Sequence, residues 1–172
     1  MIKKAALFSL LTTILYVIWL EVIVVLGISS IQIPMLPLII NTLIIAVPLY
    51  VGLLNIRKTK YENEMNFSQS FYIGILISVL SAVFTFILLV AFESMDILIP
   101  SLLEDYKNSS LVYAHTLPAA EMKAFNEQID GALKQPYNVA QQNFILVLLI
   151  SAFSSTIISL FVRNKDTFNE IK

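Results

Sequence analysis

A single carboxylate, Glu21, interrupts the apolar run YVIWLEVIVV at residues 16–25. A carboxyl group held in hydrocarbon can relay a proton, meet a passing cation or clasp a donor on a neighbouring helix. Asn41, in a second apolar run, carries an amide able to donate to it. Elsewhere, His115 is the only histidine, in VYAHTLP, and Glu104 and Asp105 are adjacent acids in LLEDYKN. Neither belongs to a set with metal-ligand spacing, and both EF-hand and H-E-x-x-H patterns are absent. With no cysteine in the chain, thiol catalysis, disulfides and cysteine-ligated metals are excluded. No histidine or aspartate lies in an apolar run, so no catalytic residue, cofactor or metal is expected, and no nucleic-acid partner.

The elements that position Glu21 and Asn41 follow from composition. The chain of 172 residues is 58% hydrophobic and only 13% charged, with mean hydropathy +0.81. A soluble domain carries about 25% charged residues. The charges are segregated, and four stretches reach the about 20 residues a helix needs to cross a bilayer: Ala5–Leu26, Met35–Leu54, Phe71–Phe92 and Phe144–Val162. The expected architecture is all-α, a polytopic membrane protein of four transmembrane helices forming one domain over 1–172. The first run is longer than the apolar core of a signal peptide, and VVLGISSIQI offers no small-residue cleavage site, so it reads as an uncleaved helix.

Lysine and arginine positions set the orientation. Eight of the eleven (Lys3, Lys4, Arg57, Lys58, Lys60, Arg163, Lys165 and Lys172) fall on one side. Lys107, Lys123 and Lys134 fall on the other. Cytoplasmic loops hold the basic excess, which places both termini in the cytoplasm and exports 93–141. Tyr50, Tyr61, Tyr72 and Phe161 then lie at cytoplasmic ends and Phe92, Tyr137 and Phe144 at exported ends, where amphipathic rings favour the headgroup level. GISSIQIP joins the first two spans closely enough to make them antiparallel neighbours, and Pro48 should kink the second.

The exported segment 93–141 is too small to build a comfortable core of its own. Within it, PAAEMKAFNEQIDGALKQP reads as one helix between Pro118 and Pro136, with Met122, Phe125, Ile129 and Leu133 along one face. That stripe needs a cover. Packing onto the bundle's outer end or onto the DILIPSLLEDY segment after the third span is favoured over docking to a protein partner or the membrane surface, because a short helix usually depends on tertiary packing. The segment holds seven acids against three lysines, an excess that reads as a solvated acidic face.

Lipid is as apolar as leucine, so small residues must mark helix contacts. Gly74, Ser78 and Ala82 are spaced by four in the third span, and Ser151, Ser155 and Ser159 by four in the fourth. These strips predict a close crossing of spans 3 and 4, with homodimerisation as the rival use. Glu21 lies five residues before Leu26, roughly 8 Å inside the exported end. Asn41 lies seven residues past Pro34, about 10 Å deep by the same rise. The matching depths predict a Glu21–Asn41 hydrogen bond near the outer surface.

Arg57, Phe67 and Phe71 in MNFSQSFYIG, Gly74, the Ser151–Ser159 strip and Arg163 together carry a resemblance. The chain resembles, over nearly its whole length, a bacterial four-helix membrane family catalogued as domain of unknown function 4199. Members often carry Asp-Pro after the third span, whereas here SMDILIPS separates Asp96 from Pro100. The resemblance implies a four-helix inner-membrane protein and brings no activity. Three classes remain. A non-enzymatic structural, anchoring or regulatory component ranks first, its partners being the bilayer and either a membrane or periplasmic protein or further copies of itself. A small oligomeric transporter or channel using Glu21 and Asn41 is second, and an intramembrane enzyme last.

Overall fold

A computed structural model describes residues 1–26, 35–95, 118, 121–125, 127, 131 and 137–163. Its main elements are α1 (Ile2–Leu26), α2 (Met35–Lys60), α3 (Phe67–Ser94) and α4 (Asn138–Val162). The described residues contain no strand. All four helices are long and apolar enough to cross a membrane.

Each helix runs past the apolar stretch that announces it, because hydropathy marks the hydrocarbon while backbone hydrogen bonding continues into the polar flanks. Helix α2 carries on through NIRKTK to Lys60, where Arg57, Lys58 and Lys60 favour the negative end of the helix dipole. Helix α3 begins four residues before Phe71 because Asn66 and Gln69 form a capping box. Gln69 N donates to Asn66 Oδ1 (2.8 Å) and Asn66 N to Gln69 Oε1 (3.1 Å). Helix α4 begins at Asn138, six residues before Phe144, which draws Asn143 into the helix. Pro48 lies buried inside a continuous α2.

Interhelical contacts define the packing. Helices α3 and α4 make the most extensive pair, followed by α1 with α3, α1 with α2, and α2 with α4. The helices therefore form a ring in the order α1, α2, α4, α3. Lys4 Nζ donates to Asn55 Oδ1 (3.0 Å) and Thr59 Oγ1 (2.7 Å), which makes α1 and α2 antiparallel. Ser9 Oγ reaches Ile77 O (3.0 Å) and Thr13 Oγ1 reaches Ser81 O (3.2 Å), which makes α1 and α3 parallel. One core cluster, with Tyr16, Leu20, Ile45, Leu89 and Val147, fills the half of the bundle nearer the end of α1. A second, with Ala5, Leu53, Ile56, Met65, Ile73 and Val162, fills the other half, called here the basic end. Outward positions such as Leu7 (63% exposed), Val25 (73%) and Phe153 (71%) are apolar, as a lipid-facing surface requires.

At the basic end the α2–α3 turn folds under the bundle. Arg57 O accepts from Tyr61 N and Asn63 N (3.2 Å each), and Glu62 and Asn63 adopt positive φ of 50° and 73° to reverse the chain. The reversal drives Met65 inward to 1% exposure. Arg57 spans the turn. Its Nε donates to Asn63 O and its Nη1 to Val162 O (2.8 Å each), satisfying a carbonyl that the last turn of α4 leaves without a partner in its own helix.

Candidate functional site

Among the described residues, the polar side chains of the helices fall in three layers. The first lies between α3 and α4. Helical spacing of four keeps Gly74, Ser78 and Ala82 on one face of α3 and Ser151, Ser155 and Ser159 on one face of α4, and all six are buried. A Cβ added at Gly74 would fall on Ser155 Oγ and lie 3.0 Å from Ser155 Cβ. Ser155 thus occupies the place a Gly74 side chain would take. Stepping four residues each way in opposite directions sets Ser78 opposite Ser151 and Ser70 opposite Ser159. The same register continues to the far end, where Phe86 and Phe144 meet edge to face (6.0 Å, 76°). There Tyr137 N, at a left-handed φ of 61°, donates to Glu93 Oε1 (2.9 Å). Both strips are covered within one chain. Ser78 and Ser151 bond back to Gly74 O (2.8 Å) and Val147 O (2.6 Å), while the Oγ atoms of Ser70, Ser155 and Ser159 are buried without hydrogen-bond partners.

The second layer joins α1 to α3 and α4. Thr85 Oγ1 lies 3.4 Å from Thr13 Oγ1, extending the Ser9 and Thr13 contacts. Tyr16, fully buried, donates its hydroxyl to Asn143 Oδ1 at 2.6 Å, and Asn143 Nδ2 donates to Val139 O at 2.9 Å. The second bond fixes which end of the amide faces the phenol. Sequence reasoning missed this pair because Asn143 stands just outside the apolar run; the helix-favouring stretch NVAQQN before Phe144 was the available signal. Removing the hydroxyl with Tyr16→Phe leaves Asn143 Oδ1 short of its donor. The expected loss is about 0.6 kcal/mol, with ~1.7 kcal/mol as the upper bound for interhelical bonds in membranes, read by thermal unfolding in detergent against wild type.

The third layer holds Glu21 and Asn41, and here the expected pair is corrected. Glu21 is exposed and Asn41 is buried at 7% exposure, with no hydrogen bond between them. Depth was matched, but rotation about the helix was not. Ala5, Ser9, Thr12, Thr13, Tyr16, Val17, Leu20 and Ile23 define the buried arc of α1, and at about 100° per residue Glu21 falls roughly 120° from its centre. It shares its side of the helix with Leu10, Ile14 and Val25, all exposed. Asn41 Oδ1 is buried without a partner, as are Trp19 Nε1 and Glu93 Oε2.

Of the stripe expected between Pro118 and Pro136, Met122 and Phe125 are half-buried, and Met122 N donates to Pro118 O (2.9 Å). Ile129 and Leu133 lie outside the described residues, as do His115, Glu104, Asp105 and Asp96. Among the described residues no three His, Cys, Asp or Glu side chains gather as a metal set.

Among the described residues, the polar groups of the helices are mainly hydroxyls and amides, with the carboxylates of Glu21 and Glu93. No curated protein and no solved structure matches the chain. Residues 7–164 match the family described as "Protein of unknown function (DUF4199)", a stretch that takes in all four helices from Leu7 of α1 through the close of α4, and the chain belongs to that family.

Proposed function

We propose that this protein is a non-enzymatic membrane component that anchors or regulates another membrane protein. Both termini then lie in the cytoplasm and 93–141 on the outer side of an inner membrane. One observation carries the reading. The carboxylate of Glu21 is turned outward on α1, toward whatever surrounds the bundle, while three inward polar residues of α1, Ser9, Thr13 and Tyr16, hold it to neighbouring helices. A carboxylate on an apolar face costs least where a neighbouring helix supplies a donor. The basic excess at the end that holds Lys4, Arg57 and Arg163 supports the orientation.

A photoreactive residue placed at Ile14, two helical turns before Glu21, tests the reading in native membranes. The expected result is a stoichiometric adduct to one other membrane protein, lost in Glu21→Leu, retained in Glu21→Gln and absent when the probe sits at Leu43 on α2. Adducts indifferent to Glu21→Leu would overturn it. An adduct between two copies of the chain, with ion flux in liposomes, would support the second reading, an oligomeric transporter or channel whose lumen receives Glu21. Its outward position is the observation that favours that alternative.

A further inference from the structure

The α1–α2 interface carries a register that reaches beyond the contacts already described. A Cβ on Gly52 would come within 2.9 Å of Phe8 Cγ, so these two residues face each other across the antiparallel pair. Eleven residues along α1 from Phe8 stands Trp19, and eleven residues back along α2 from Gly52 stands Asn41. Eleven residues are about three helical turns. Each residue therefore returns to the face of its reference residue, and opposite directions of travel keep the two level. Trp19 and Asn41 oppose each other as Phe8 and Gly52 do. Glu21, two residues on from Trp19, is turned about 200° away.

The two side chains hold complementary groups. Trp19 Nε1 is a donor only, Asn41 Oδ1 is an acceptor only, and both atoms are buried without hydrogen-bond partners. Asn41 is more than nine-tenths buried. Buried polar atoms of native proteins are paired, and exceptions require a reason. A cation at this position would meet the indole N–H, an anion would meet the carbonyl oxygen, and an apolar group would satisfy neither. A hydroxyl satisfies both at once, accepting from the indole and donating to the amide.

We propose that Trp19 and Asn41 bracket a binding position for one small hydroxyl-bearing ligand between α1 and α2. The same chemistry is offered by a water molecule and by a lipid hydroxyl, and the bilayer composition separates them. Trp19 is the only tryptophan in the chain, so its indole N–H gives one resonance in protein labelled with nitrogen-15.

The experiment uses the full chain in nanodiscs of phosphatidylcholine, which has no hydroxyl, and of phosphatidylglycerol, which has. A downfield, bonded indole proton with a cross-peak to water in phosphatidylcholine is the expected result and makes water the ligand. A bonded shift and a lipid cross-peak appearing only in phosphatidylglycerol also support the site and make the lipid hydroxyl the ligand. Asn41→Leu is expected to shift the resonance upfield and abolish the cross-peak, while Leu43→Ala, on the exposed side of α2, leaves both unchanged. An indole proton without a bonded shift in either lipid overturns the proposal. So does one whose cross-peaks run only to the Asn41 side chain, since the two residues would then bond directly. Both outcomes are read on the wild-type chain and stand even if Asn41→Leu does not fold.

Discussion

Gly74→Leu is expected to force α3 and α4 apart and to lower the unfolding free energy by about 3 kcal/mol, the upper part of the range for overpacking a close contact. Smaller substitutions show why. Alanine at a helical glycine gains about 1 kcal/mol of helix propensity, yet its Cβ would fall on Ser155 Oγ and within 3.0 Å of Ser155 Cβ. The hydroxyl can rotate away, whereas the Cβ cannot move without its helix. Gly74→Ala should therefore end mildly destabilising, by about 1 kcal/mol once the two effects are set against each other. Leucine brings further carbons into the same place with no added propensity to offset them. Unfolding of purified protein in detergent, followed by helical circular dichroism, measures all three chains. Adding Ser155→Gly to Gly74→Ala should recover the alanine variant to wild-type stability or above. A leucine variant as stable as wild type would show that α3 and α4 do not depend on this approach.

Met65→Ala is expected to cost about 2–3 kcal/mol, within the range for truncating a buried methionine. The origin of that cost differs from the helix contacts above. Between spans, apolar burial brings little, because lipid solvates a leucine as well as a protein core does. Met65 stands instead in a turn whose neighbours Glu62, Asn63, Glu64 and Asn66 are exposed, while its own side chain, 1% exposed, enters the cluster of Ala5, Ile56, Ile73 and Val162. Water is the competing solvent there, so the hydrophobic effect applies in full. Leu43→Ala, which removes an outward side chain 56% exposed on α2, should by contrast leave stability within about 0.5 kcal/mol. Amide hydrogen exchange across residues 57–66 should accelerate in Met65→Ala and stay unchanged in Leu43→Ala. Equal effects from the two substitutions would mean that Met65 does not seal this end against water.

The spans were legible because twenty apolar residues admit few other readings, and the α3–α4 strips because spacing of four places small residues on one face. Helix ends were less visible in hydropathy. The start of α3 was written in the Asn66–Gln69 box, and that of α4 in a polar stretch with no apolar mark. Glu21 and Asn41 show what one-dimensional depth leaves out. Rise per residue locates a side chain along the membrane normal, but which way it faces depends on the neighbours its helix acquires. Phe8 against Gly52 supplies that rotation, and nothing in the apolar pattern names Gly52 as the partner of Phe8. Tyr16 with Asn143 was hidden for a related reason, since the two stand 127 positions apart in sequence.

The reach of Arg57 to Val162 O ties the end of α2 to the end of α4. Helices enter a membrane in the order of synthesis, so α1, α2 and α3 are present while α4 is still being made. Until it arrives, the guanidinium of Arg57 lacks its α4 acceptor, Met65 lacks Val162 as a neighbour, and the face of Gly74, Ser78 and Ala82 lies open to lipid. Insertion of α4 meets all of these needs at once. A chain halted before α4 would thus display, together, the polar and apolar surfaces by which quality-control proteases and chaperones recognise an unfinished membrane protein.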